Sequence, residues 1–145
     1  MENIPDKPCV SACNHQSTWE TITTQTFLPP LAWVLKKELL KIPFFGWGLW
    51  ASKPIAIDRA DRSTALEQVA KQGVEKMKEG RYVLIFPQGT RQNYGSSGRY
   101  KKGAAKLALA ADVNIVPIAH DAGKYWSSDD SVSYTHLTLP TILLV

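Results

Sequence analysis

Cysteine is scarce in this sequence. Cys9 and Cys13 are the two in 145 residues, too few for the disulfide framework that braces small secreted domains. No apolar run approaches the roughly 20 residues that cross a bilayer. The opening MENIPDKP is polar and carries no signal-peptide pattern, so the expected compartment is the cytoplasm. A G-x-S-x-G elbow is missing, which argues against a serine hydrolase. Cys9, Cys13 and His15 do form C-x₃-C-x-H, but no second ligand pair follows at zinc-like spacing, so no metal is expected. Internal repeats are absent as well.

What remains is an ordinary globular composition, 44% apolar and 21% charged, in a length that suits one domain with a sizeable core. Charge is unevenly spread. Residues 31–110 hold 15 Lys/Arg against 6 Asp/Glu, whereas the flanks hold 1 against 3 before and 1 against 4 after. A basic centre suits an anionic partner: a phosphate ester, an anionic lipid surface or nucleic acid. A solvated surface of mixed charge would read the same way.

Apolar patterning alternates strand and helix. Pro8–Cys13, Ala32–Leu35, Pro54–Ile57, Tyr82–Phe86 and Asn114–Ile118 read as strands. A helix of about ten residues is expected after the first strand, stopped by Pro29-Pro30. A second runs from Ser63 to Glu79, with Leu66, Val69, Ala70, Val74 and Met77 on one face and Gly80 as its stop. A third, rich in Ala, covers Lys101–Ala111. The expected fold is α/β, a mixed, largely parallel sheet flanked by helices, with sites at the carboxyl ends of strands. The stretch FFGWGLW (residues 44–50) reads equally as a core helix or as a segment dipping into a lipid interface.

Three candidate sites follow strands. In NHQSTWE (14–20), Ser17 and Glu20 match the S-x-x-E capping box. His15 and Glu20 would also make a general base with an orienting carboxylate. Residues five apart on one continuous helix point about 140° apart, so that pair requires His15 to precede the helix. Phe86-Pro-Gln-Gly-Thr-Arg91 ends a strand in a turn whose free N–H groups and guanidinium suit a phosphate, or it is a plain turn with a solvated arginine. Lys36 and Arg59 are single cations beyond strand ends.

In order and spacing, these pieces resemble the glycerolipid acyltransferase family, specifically the bacterial 1-acyl-glycerol-3-phosphate acyltransferases. NHQSTWE resembles the family's N-H-x-S-x-x-D block, PIAIDR its second, FPQGTR its F-P-E-G-T-R block and Ile115-Val-Pro-Ile118 its fourth. The resemblance covers residues 1–126, taken as an acyltransferase domain already under way at Met1. Residues 127–145, including VSYTHLTLPTILLV, form a tail foreign to the family pattern, so His136 is given no role.

The resemblance implies acyl transfer from acyl-CoA or acyl-carrier protein to the 2-hydroxyl of lysophosphatidic acid, giving phosphatidic acid without cofactor, metal or covalent acyl-enzyme. By position, His15 is the base and Glu20 its orienter. Arg91 and Lys36 contact phosphate, Arg59 is a weaker contact, and Gln88, Gly89 and Thr90 complete the loop. The partners implied are those lipids and donors and an anionic membrane surface, not nucleic acid. Peripheral attachment to the cytoplasmic face of the bacterial inner membrane follows. Other acceptors, such as glycerol-3-phosphate or a lyso-ornithine lipid, or a non-catalytic lipid-binding relic, are the competing expectations. Two residues depart from the family: Glu20 replaces Asp, keeping the carboxylate on a longer stem, and Gln88 replaces Glu, losing a charge. Lower activity is expected from the second.

Overall fold

The computed structural model describes residues 4–28, 30–58, 62–127 and 142–144. Its strands are β1 (Val10–Cys13), β2 (Leu31–Lys36), β3 (Ile55–Ile57), β4 (Tyr82–Ile85), β5 (Ile115–His120) and β6 (Ile142–Leu144). The helices are α1 (Trp19–Phe27), α2 (Phe45–Ala51), α3 (Arg62–Lys78) and α4 (Gly103–Ala111). The sheet runs β3-β2-β4-β1-β5-β6. Its first five strands are mutually parallel, and β6 pairs antiparallel to β5. This is the mixed, largely parallel α/β sheet that the alternating pattern leads one to expect.

All four residues of β4 are buried, as befits a central parallel strand covered on both faces. One face carries Val10, Ala32, Val83 and Ile85 beneath Val69, Met77 and Leu107, from α3 and α4. The other carries Cys9, Cys13, Leu84 and Ile118 with Leu28, which follows α1. Alternation along each strand sends neighbours to opposite layers. Gly73 lets α3 and α4 close up, because a Cβ there would stand 2.6 Å from a methyl of Leu107. The sheet's β3 edge is satisfied by α3: Gln72 accepts from the Ala56 N–H (3.2 Å) and donates to the Ala56 carbonyl (3.0 Å). Those bonds cover an edge that would otherwise invite pairing.

Most element boundaries lie within one or two residues of expectation, and two of the shifts have local reasons. Strand β5 runs on to His120 because the Asn14 side chain continues the ladder: its amide donates to the His120 carbonyl (2.8 Å) and accepts from the His120 N–H (3.0 Å). Helix α4 starts at Gly103 rather than Lys101 because the Lys101 N–H turns away to the Pro87 carbonyl (2.8 Å). Both shifts tie segments to the carboxyl end of the sheet. The FFGWGLW stretch is not a core helix, since Phe44 (78% exposed), Trp47 (65%) and Trp50 (73%) face outward and Gly46 is the one buried residue of α2. Of the residues after 127, the described three form β6, and His136 lies outside the described residues.

Candidate active site

Because β1, β2, β4 and β5 are parallel, Asn14-His15, Lys36, Pro87-Gln88 and His120 all emerge at one edge of the sheet. His15 precedes α1, outside the helix, as the pair requires. Its Nδ1–H donates to Glu20 Oε1 at 2.7 Å. That same oxygen accepts the N–H groups of Gln16 (2.8 Å) and Ser17 (2.8 Å). The Ser17 bond is one half of a capping box. The other half slips by one residue, since Ser17 Oγ accepts from the Trp19 N–H at 3.1 Å instead of from Glu20. Helix start and His–Glu pair are therefore one structure, built on a single carboxylate oxygen.

Glu20 is wholly buried and the His15 side chain is 17% exposed. The imidazole lies on Phe86, centroids 4.0 Å apart and planes at 16°. Burial pushes the Glu20 carboxyl up, but the bonds from the His15 ring and from backbone N–H groups, with His120 nearby, outweigh it and hold the pKa below the ordinary value. The carboxylate thus stays charged and fixes the His15 tautomer, leaving Nε2 with its lone pair. Such a ring can take a proton from a hydroxyl, and the adjacent carboxylate stabilises the imidazolium that forms.

The peptide linking Asn14 to His15 is held on both sides. Its N–H, that of His15, donates to Gln88 Oε1 (2.8 Å). Its carbonyl, that of Asn14, accepts from His120 Nε2–H (2.9 Å). Gln88 is buried, so the amide in place of the family's Glu still supplies the oxygen this N–H needs, without the charge. Sequence reasoning missed His120. The signal that could have found it was the rule that served the other blocks, a polar residue just past the carboxyl end of a parallel strand.

The cationic residues frame this pair without touching it. Extending the β2–β4 register brings Lys36 level with Pro87, two strands from β1 and so roughly 10 Å away at about 4.8 Å per strand. Thr90 and Arg91 are exposed on the turn. Gly89 has φ +76°, and a Cβ there would stand 2.6 Å from Lys101 Nζ. The turn therefore favours glycine for its left-handed backbone, and the Lys101 ammonium lies across the space that a side chain would take. Lys101 is a second cation that the sequence reading did not single out. Arg59 lies outside the described residues. Cys9 and Cys13 are core residues: burial pushes both thiols up, with the Glu20 charge adding to the effect at Cys13, so neither is a thiolate nucleophile at neutral pH.

The sequence matches the family described as Acyltransferase over residues 1–121. It is 55% identical over 126 residues to a 1-acyl-sn-glycerol-3-phosphate acyltransferase of Pseudomonas aeruginosa, covering 87% of this chain and 49% of that protein. It is 36% identical over 106 residues to the Escherichia coli protein of the same description, covering 72% and 43%. Among solved structures it matches the 1-acyl-sn-glycerophosphate acyltransferase of Thermotoga maritima with a TM-score of 0.71 and 29% identity, over 89% of this chain and 52% of that one. The chain spans about half the length of these relatives.

Proposed function

This chain belongs to the acyltransferase family, and from that premise we propose that it moves a fatty acyl chain from acyl-CoA or acyl-carrier protein to the 2-hydroxyl of 1-acyl-glycerol-3-phosphate, giving phosphatidic acid. The observation that carries the reading is the 2.7 Å contact of His15 Nδ1–H with Glu20, placed beside the turn of Gln88 to Arg91. His15 Nε2 takes the acceptor's hydroxyl proton as the oxygen attacks the thioester carbonyl. The new ester bond forms, the carbon–sulfur bond breaks, and the proton passes from the imidazolium to the departing thiolate. The step calls on no metal or cofactor beyond the donor, because the chain supplies the base and the acceptor supplies the nucleophile. Arg91, Lys36 and Lys101 are the cations suited to the acceptor phosphate, with Arg59 added by family resemblance. Gly89 and Thr90 shape the turn that presents Arg91.

The acceptor phosphate gives a direct test. Acylation of 1-acyl-glycerol-3-phosphate is expected to exceed that of phosphate-free 1-acylglycerol by roughly 100-fold in kcat/KM, the worth of about two charge-assisted hydrogen bonds. Equal use of the two acceptors would remove the phosphate from the account.

Among the described residues no helix is long and apolar enough to cross a membrane. An interfacial surface is present instead. Ile42, Phe44, Phe45, Trp47 and Trp50 are exposed together on and before α2, flanked by exposed Lys37, Lys41 and Lys53. Phe44 sits at φ 60°, ψ −55°, and the Phe45 N–H donates to the Pro43 carbonyl at 2.6 Å. This is a γ-turn, a strained backbone for a bulky residue. Aromatic rings ringed by lysines suit the headgroup region of an anionic bilayer, here the cytoplasmic face of the inner membrane. Replacing Trp47 and Trp50 with Ser should lower partitioning onto anionic liposomes at least tenfold in a flotation assay. Unchanged flotation would leave α2 without this role.

A further inference from the structure

His120 is the second histidine of the site and lies outside the family blocks, and its geometry is specific. The ring is buried. Its Nδ1 accepts from the Ala122 N–H at 3.2 Å, so the proton of the neutral ring sits on Nε2. That Nε2–H donates to the Asn14 carbonyl at 2.9 Å and stands 3.9 Å from Glu20 Oε2. Glu20 Oε2 is itself buried and has no hydrogen-bond partner among the described residues. The Trp19 ring closes the other side, 5.7 Å between centroids and tilted by 54°. Burial lowers the pKa of His120, and the Glu20 carboxylate, which pulls it up, does not compensate. The ring is thus neutral at pH 7, as its acceptor and donor bonds both require.

We propose that His120 is a positioning residue for His15: by holding the Asn14 carbonyl while Gln88 holds the next N–H, it fixes the Asn14–His15 peptide plane and keeps the imidazole seated on Glu20. The longer stem of Glu20 fits this arrangement. One oxygen gathers the three donors at the start of α1, and the other is left facing the His120 edge. Neither the Asn14 nor the Gln88 contact can do this alone. Asn14 pins the backbone of β5 and not its own carbonyl, and Gln88 restrains one end of a peptide that can still rotate about the other. The proposal rests on His15 acting as the base, and its test separates the two.

Two substitutions divide the bonds of the ring. His120→Gln places an amide nitrogen near the position of Nε2 and keeps the donor to Asn14. His120→Asn places its amide near Nδ1, retains a partner for Ala122 and loses the Asn14 bond. The readout is ¹⁵N NMR of the ring nitrogens of His15 in histidine-labelled protein, with acyl transfer measured in parallel. His120→Asn should release His15 from a single Nδ1–H tautomer into a mixture and lower kcat about 100-fold with little change in KM, the scale of a misplaced catalytic group. His120→Gln should hold the wild-type tautomer and stay within about tenfold of wild-type kcat. An unchanged His15 tautomer in folded His120→Asn overturns the proposal, and so does a loss in His120→Gln as large as in His120→Asn. If the wild type transfers no acyl group, the function proposed above falls while the tautomer readout still decides this one.

Discussion

Replacing Glu20 with Ala is expected to cost about 3–5 kcal/mol of stability, because it strips a wholly buried carboxylate oxygen from three donors at once. For a chain of this length that corresponds to a fall in Tm of roughly 10–16 °C, readable by calorimetry. Glu20→Gln separates charge from shape. Its carbonyl still accepts at the helix start, so stability should fall by only about 1–2 kcal/mol, but without the charge the imidazolium of His15 is not stabilised and kcat should drop at least 100-fold. The sign with pH follows from the depressed carboxyl. The folded value lies below that of an ordinary glutamate carboxyl, so across that gap the unfolded chain binds the extra proton. The charge of Glu20 therefore contributes fully above about pH 4.5 and is lost as pH falls through the folded value. The stability difference between wild type and Glu20→Gln should accordingly narrow in acid. A difference constant from pH 7 to pH 3 would mean that the carboxylate charge is not what the site uses.

His15→Ala carries the largest expected effect on turnover. With Nε2 gone, no other imidazole nitrogen among the described residues is placed to take its part: both nitrogens of His120 are engaged, with Ala122 and with Asn14. kcat should fall about 10³-fold, within the range typical of losing a general base. KM for the acceptor should move little, since the cations of the turn and of β2 stand apart from the ring, and such a split marks an interaction made only in the transition state. The fold should survive, because Glu20 Oε1 keeps the Gln16 and Ser17 N–H donors and Gln88 and Gln92 bond the His15 backbone rather than its ring. Loss of less than tenfold would remove His15 from the chemistry.

The sheet and most of its boundaries were legible in the sequence because a parallel strand buried on both faces reads as a short apolar run, and Tyr82–Ile85 shows no competing period. The ends of β5 and α4 were not, because each is set by a hydrogen bond from far along the chain, Asn14 to His120 and Lys101 to Pro87. The same applies to the site. His15 and Glu20 lie five residues apart and share one local structure, so the short motif carried them. His120 and Lys101 reach it only through the sheet order and the turn at Gly89, which no local window contains. The FFGWGLW stretch was ambiguous for a different reason. Aromatic rings look alike in a core and at a lipid interface, and the seven-residue helix is decided by what packs on it.

The measurement closest to the central claim is incubation of the chain with 1-acyl-glycerol-3-phosphate and radiolabelled acyl-CoA, the lipid product being resolved and its label position determined. Label is expected in phosphatidic acid as an ester at the 2-hydroxyl, formed with release of one free thiol per ester and suppressed about 10³-fold in His15→Ala. Lipid that binds without acquiring label, or label acquired equally by His15→Ala, would contradict it.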